Sequence, residues 1–204
     1  MHPTSVFHWT DRAAQLAFVE ERAYLTLVGH VAGALTVAQA PAIRDVDDDT
    51  RLLLHLSRAN PIARALPMRV VAIAHGPDAY VSPDWYTATE QVPTWNYVSV
   101  EIDGVLTATD DAMLIAILDR QSAVYESRIP DKRPWTTAKL PPAVLAAKLK
   151  GIVGVTFSIE AVRATRKLSQ NKTPDDRAGV VAALATSARP MDRAIADAMR
   201  EKSS

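Results

Sequence analysis

Hydrophobic residues recur along this chain with two periods, and the change from one to the other separates strands from helices. From Tyr24 the run Tyr-Leu-Thr-Leu-Val-Gly-His-Val, then Ala34-Leu-Thr-Val-Ala-Gln after a turn containing Gly33, is rich in β-branched side chains and predicts a hairpin. Arg51 to Leu56 is another apolar run, ending in the polar stretch His55-Leu56-Ser57-Arg58-Ala59-Asn60-Pro61. Arg69 to His75 and Ala79 to Ser82 read as a second hairpin, with Gly76-Pro77-Asp78 as its turn. Between Thr94 and Leu106, Tyr97, Ser99, Glu101 and Asp103 alternate with Val98, Val100 and Ile102, as in a strand with one buried face. Ile152 to Val162 alternates in the same way through Val153, Val155, Phe157 and Ile159.

Helices are marked by their ends. Thr10 caps a helix that runs to near Arg22 and turns Ala13, Leu16, Ala17 and Phe18 or Val19 inward. Ser82-Pro83-Asp84 combines a cap, a first-position proline and an acid, which predicts a short helical turn carrying Trp85 and Tyr86. Thr109-Asp110-Asp111 opens an amphipathic helix with Met113, Leu114, Ile117, Leu118, Val124 and Tyr125 at helical spacing, stopped by Pro130 to Pro134. Pro141-Pro142 starts another helix through Leu149, ended by Gly151, and the tail from Asp175 is helical with a break at Pro190. About seven short strands relieved by helices predict a mainly β, α+β protein built on a closed or half-closed antiparallel barrel. With no repeat and no long linker, residues 1–172 form the barrel with its peripheral helices, and 173–204 form a helical tail packed on it.

Composition narrows the chemistry. Of 204 residues none is Cys, which excludes thiolate zinc sites, iron–sulfur clusters, disulfides and a cysteine nucleophile. The seven glycines, at 29, 33, 76, 104, 151, 154 and 179, form neither a dinucleotide fingerprint nor a P-loop. Gly151-x-x-Gly154 is read as turn and packing, Asp47-Asp48-Asp49 as a solvated turn, and the five His show no metal spacing, so no metal is expected. Ser57, Ser82 and Ser99 lack a nucleophile elbow, and no catalytic residue is assigned. Met1 to Asp11 carries no Lys or Arg and no apolar run approaches a membrane span, so a cytoplasmic protein without a membrane partner is expected.

Polar and aromatic residues concentrate in three places. His55, Ser57, Arg58 and Asn60 gather at a strand end, where they offer donors suited to a phosphate or ribityl chain. Ser82, Trp85, Tyr86, Thr94, Trp95 and Asn96 bring aromatic rings with polar handles, as planar-ligand sites and subunit interfaces do. Lys167-Leu168-Ser169-Gln170-Asn171-Lys172 is cationic and amide-rich, just after the last strand.

In this order, His55 to Pro61, Gly76-Pro-Asp-Ala-Tyr-Val-Ser-Pro-Asp-Trp-Tyr86, Val92-Pro-Thr-Trp-Asn-Tyr97 with Gly104, Gly151-Ile-Val-Gly154 and Lys167-Leu-Ser-Gln-Asn171 resemble the PaiB family of FMN-binding negative transcriptional regulators. The resemblance covers most of the chain. It implies an FMN-binding split β-barrel of the pyridoxamine-phosphate-oxidase-like type, in a homodimer with flavin at the subunit interface. It further implies that Arg58 approaches the flavin phosphate with His55, Ser57 and Asn60 as helpers. Ser82, Trp85, Tyr86, Thr94, Trp95 and Asn96 would line the ring side or the dimer seam, and Lys167, Ser169, Gln170 and Asn171 would close the site. The chain departs from the family pattern at Gln39-Ala40-Pro41, where His-Leu-Pro is common, and at Ala164-Thr165-Arg166, where a Gly is usual. The Thr87 to Gln91 loop is also shortened.

Three functions compete: an FMN-binding regulator, a flavin-dependent oxidoreductase acting on a small molecule, and a cofactor-free or haem-binding dimer. DNA as the regulator's partner finds no support in charge, because 23 Lys and Arg balance 23 Asp and Glu. On the tail, Arg189, Arg193, Arg200 and Lys202 are interleaved with Asp192, Asp197 and Glu201, as on a solvated helix face.

Overall fold

A computed structural model describes residues 1–201; Lys202 and the last two residues of the expected tail lie outside the described residues. Six strands form a closed barrel in the order β1-β2-β3-β6-β5-β4: β1 (Tyr24–Val31), β2 (Ala34–Arg44), β3 (Arg51–Ser57), β4 (Met68–Val81), β5 (Thr94–Ala108) and β6 (Ile152–Lys167). The helices are α1 (Arg12–Arg22), α2 (Pro61–Arg64), α3 (Asp111–Glu126), α4 (Pro142–Leu149), α5 (Pro174–Ala185) and α6 (Pro190–Glu201), with short 3₁₀ turns at Ser5–Phe7, Pro83–Trp85 and Thr137–Lys139. The chain divides into two compact units, Leu16–Ala74 with Glu101–Val162, and Met1–Gln15 with His75–Val100 and Arg163–Ser204.

The first unit holds β1, β2 and β3 entire, with β4 as far as Ala74, β5 from Glu101 and β6 as far as Val162. β1 and β2 pair antiparallel with Val31 opposite Ala34, so Ala32 and Gly33 are the two turn residues. Both have positive φ, 49° and 85°, the geometry that matches the right-handed twist of a hairpin. On β1, Leu25 and Leu27 are buried while Tyr24, Thr26, Val28 and His30 face outward, as period-two patterning requires. Residues inside this barrel include Leu52, Leu54, Ile102, Leu106, Val155 and Phe157, all essentially inaccessible. At Gly104 an added Cβ would fall 2.6 Å from the Phe157 ring and 2.2 Å from the Ser158 carbonyl, so this glycine makes room for the close approach.

β3 breaks the alternation because both its faces are covered. Leu53 points the other way from Leu52 and Leu54, yet it is buried against Ile43 and Ile117 under α3, with Val124 alongside. Asp110 caps α3 by accepting from the Met113 N–H at 2.8 Å. Gly154 lets the helix start lie close to β6, since a Cβ there would meet the Thr109 hydroxyl at 2.3 Å and Leu114 Cα at 3.1 Å.

In the second unit, α5 and α6 pack together through Val180, Leu184, Ile195, Ala196 and Met199, all buried. Phe7 and Trp9 are buried as well, and the Arg166 guanidinium lies 3.8 Å over the Trp9 ring. Gly179 on α5 abuts the Pro83–Trp85 turn so closely that a Cβ would sit 2.1 Å from the Trp85 carbonyl oxygen.

The structure corrects several sequence expectations. There is no second hairpin: β4 runs unbroken through Gly76-Pro77-Asp78, which removes one of the expected seven strands. Gly33 is the one glycine with positive φ among the described residues, so Gly76 stays extended, and the fixed φ of Pro77 is compatible with a strand. The last strand continues to Lys167 instead of stopping at Val162. On α1, Leu16 and Val19 are buried, whereas Ala13 and Ala17 are exposed, and Met113 on α3 is also exposed.

Candidate functional site

The expected site residues fall into two groups, one in each compact unit. In the first unit, β3 ends at Ser57 and the chain turns into α2. The turn is fixed by its own polar side chains. The Ala59 N–H donates to Ser57 Oγ at 3.3 Å, the Asn60 N–H to the Ser57 carbonyl at 3.0 Å, and Asn60 Oδ1 accepts from the Ile62 N–H at 2.9 Å as the cap of α2. Arg58 is anchored through its backbone, whose N–H donates to the Gly151 carbonyl at 2.9 Å, while its carbonyl accepts from Arg64 Nε. Its guanidinium is half exposed and lies 3.9 Å from the Asp111 carboxylate, itself almost fully exposed. Such a pair is weak, so the guanidinium is free to exchange it for an anion.

His55 sits on the same face of β3 as Leu53 and is therefore directed toward α3. Its Nδ1 lies 2.8 Å from Gln121 Oε1, and Gln121 Nε2 donates to the Pro41 carbonyl at 3.0 Å. A carbonyl can only accept, which fixes the Gln121 amide and makes His55 Nδ1 the donor. Burial lowers the His55 pKa below 6.5, with the Gln121 bond opposing, so the neutral ring carries its proton on Nδ1 and leaves Nε2 as an acceptor. His55, Gln121, Tyr125 and Pro41 line a cavity of 280 Å³.

In the other unit, β5 and the end of β6 meet. Asn96 occupies an inward position on β5, in the row of Val98 and Val100, and is completely buried. Its amide is satisfied there by Ser169 Oγ at 3.0 Å and Met199 Sδ at 3.5 Å. Ser169 has φ 58°, a conformation costly for a residue with a Cβ, and is held there by this contact. Lys167 Nζ donates to the Thr94 hydroxyl and to the Trp95 carbonyl at 2.9 Å, and Lys172 Nζ to Gln91 Oε1. Gln170 is used locally, accepting from the Leu168 N–H at 2.6 Å and donating to the Arg166 carbonyl.

These residues surround a cavity of 210 Å³ lined by Tyr86, Thr94, Asn96, Lys167, Ser169, Asn171 and Lys172, with Phe7 and Val92. The Tyr86 hydroxyl is buried and makes no well-formed hydrogen bond, although Ser169 Oγ, itself bonded to Asn96, lies near enough to oppose the rise of its pKa. Burial raises its pKa, as it lowers that of Lys167, where the Lys172 charge adds to the effect. Trp95 and Ser82 are placed otherwise. Trp95 is 47% exposed and stacks edge-on against Tyr80 at 6.1 Å, while the Ser82 side chain caps the Pro83–Trp85 turn and leaves Trp85 half-buried beside α5. Gln121 was not expected as a site residue, and Lys172 was read as the end of the cationic Lys167–Lys172 segment without being assigned a role. Gln121 was detectable as a polar residue on the Leu114–Ile117 stripe of α3.

The family described as "Putative FMN-binding domain" matches residues 1–161. The protease synthase and sporulation protein PAI 2 of Bacillus subtilis is 31% identical, over 99% of this chain and 98% of its own length. The chain belongs to the PaiB family. An uncharacterised protein of Aspergillus fumigatus is 29% identical over 87% of this chain. The FAD and haem binding protein of Mycobacterium smegmatis (TM-score 0.60, 15% identity, 84% of this chain and 78% of that one) has the same fold. So does the flavocytochrome Anf3 of Azotobacter vinelandii (TM-score 0.63, 16% identity, 87% and 78%). The PaiB barrel is thus the flavin-binding split barrel, and FMN is the cofactor its family implies. The chemistry of the strand-end residues fits that group: Arg58, only weakly paired with the exposed Asp111, offers a cation suited to a phosphate. No helix among the described residues is long and apolar enough to cross a membrane.

Proposed function

We propose that this PaiB protein is an FMN-dependent regulator that works as a homodimer and reads flavin occupancy or redox state as a change in affinity for a partner. The observation that carries the reading is the family match over residues 1–161. Bound FMN supplies reversible hydride and electron storage. The chain's part is to bind and orient it. Arg58 takes the phosphate, and Ser57 and Asn60 act by holding the turn that presents it, with His55 fixed beside them. Ser82, Trp85, Tyr86, Thr94, Trp95 and Asn96 serve the ring side, and Lys167, Ser169, Gln170 and Asn171 close the site. The outward face of β1 and β2 supports the homodimer, since Tyr24, Leu35 and Val37 are 62%, 78% and 52% exposed there.

The test is the absorption spectrum of protein purified without added cofactor, then reconstituted with FMN. Flavin bands that survive desalting are expected; a colourless protein that cannot be reconstituted refutes the reading, and a Soret band would assign the barrel to haem. Replacing Arg58 with Ala is expected to weaken FMN at least tenfold and leave riboflavin unchanged, since a charge-assisted hydrogen bond contributes about 1.5 to 3 kcal/mol. Equal loss of both ligands would remove Arg58 from the phosphate.

A further inference from the structure

Two ammonium groups meet at the 210 Å³ cavity without a carboxylate between them. Lys167 donates to the Thr94 hydroxyl and the Trp95 carbonyl, and Lys172 to the Gln91 amide oxygen. Neutral acceptors satisfy the N–H groups, and no carboxylate lines the cavity to form an ion pair with either ammonium. The two charges act on each other, because Lys172 adds to the burial that depresses the Lys167 pKa. Lys172 also lies 4.9 Å over the Tyr86 ring. Tyr86 is only 9% exposed, and its hydroxyl, beside Ser169, makes no well-formed hydrogen bond. The negative charge felt at Tyr86 is that of Asp176, whose Oδ1 already accepts from the Thr87 N–H, the Thr87 hydroxyl and the Ala88 N–H. Phe7, buried, and Val92, exposed, give the cavity an apolar side.

A cavity with two cations outside any ion pair, one buried hydroxyl without a well-formed hydrogen bond and an apolar wall is complementary to one kind of ligand. We propose that it binds a small organic anion, a carboxylate or phosphate group on a short apolar body. Lys167 and Lys172 face the oxyanion, the Tyr86 hydroxyl donates to it, and Phe7 and Val92 receive the body. This deepens the flavin reading by naming the class of small molecule to which the protein responds. It rests on that reading, since Tyr86, Thr94, Asn96, Lys167, Ser169 and Asn171 are also the residues given above to the flavin, and all of the cavity's residues belong to one compact unit.

Calorimetric titration of the full chain, with and without FMN, tests it with phenyl phosphate and benzoate as probes and benzyl alcohol as the neutral control. Saturable binding of at least one anion and none of the alcohol is expected, and the preferred probe identifies the oxyanion. Lys172→Gln should weaken binding about tenfold, the scale of one charge-assisted contact. Tyr86→Phe should weaken it about threefold or more with little change in the thermal midpoint, because the buried hydroxyl it removes makes no well-formed hydrogen bond in the folded chain. Absence of binding by both anions overturns the proposal, as does an affinity that neither variant changes. Displacement of phenyl phosphate by FMN but not by riboflavin also overturns it, by making the cavity the flavin phosphate site. A chain that cannot be reconstituted with FMN yet binds the anion refutes the flavin reading alone.

Discussion

The His55 imidazole is the clearest case of a side chain tuned by its strand. Burial lowers its folded pKa beneath 6.5, the unfolded value, so between the two the unfolded chain holds more protons. The stability this ring contributes is fully present above about pH 6.5 and is lost as pH falls through the folded pKa. Urea midpoints measured from pH 5 to pH 7.5 should therefore rise with pH in wild type, and His55→Gln should flatten that rise. A slope unchanged in the variant would show that His55 is not its source. The neighbouring Asn60 illustrates the opposite outcome. Its side chain is consumed as the cap of α2, so a residue picked for its donors works through the backbone.

Among the elements, the β1–β2 turn holds a correctable strain. Ala32 sits at φ 49°, where an L-residue with a Cβ pays about 1–2 kcal/mol and Asn is tolerated better. Ala32→Asn should raise stability by about 0.5–1 kcal/mol in denaturant unfolding, with the hairpin unchanged. At the start of α3, Asp110→Ala removes the acceptor of the Met113 N–H and should cost about 1 kcal/mol. Gly179→Ala should cost more, about 1–3 kcal/mol, because the new methyl meets the Trp85 carbonyl oxygen and α5 must shift. A changed Trp fluorescence maximum in that variant would accompany the loss. An unaltered spectrum and stability would mean that the helix yields without cost.

For the whole molecule, association and charge are the testable properties. If Tyr24, Leu35 and Val37 form the dimer face, Leu35→Lys with Val37→Lys should turn a sedimenting dimer into a monomer. Both positions are exposed in the single chain, so the β-sheet circular dichroism should persist. At the start of α6 Arg189 pairs with Asp192 at 3.4 Å, along it Arg200 pairs with Asp197 at 2.7 Å, and Arg193 donates to the Ser187 carbonyl at 2.6 Å. A promoter duplex should accordingly show a shallow dependence of log Kobs on log salt, since few phosphate contacts release few counterions. A steep slope would reveal a basic surface that the single chain does not display.

Much of this architecture was legible along the sequence because strand and helix periods are local. Alternation at Val98, Val100 and Ile102, the caps at Ser82 and Asp110, and the Gly33 turn each depend on a few adjacent residues, and each is found in the structure. The absent turn at Gly76 marks the limit of that reasoning, since turn-prone residues remain extended when both flanks belong to one long strand. The order of the five motifs was enough to place the chain in its family. Their partners were not readable. Only the fold sets Gln121 against His55, buries Asn96 opposite Ser169, or brings Lys172 to Tyr86, because these pairs are separated by 66 to 86 positions and no periodicity spans such distances.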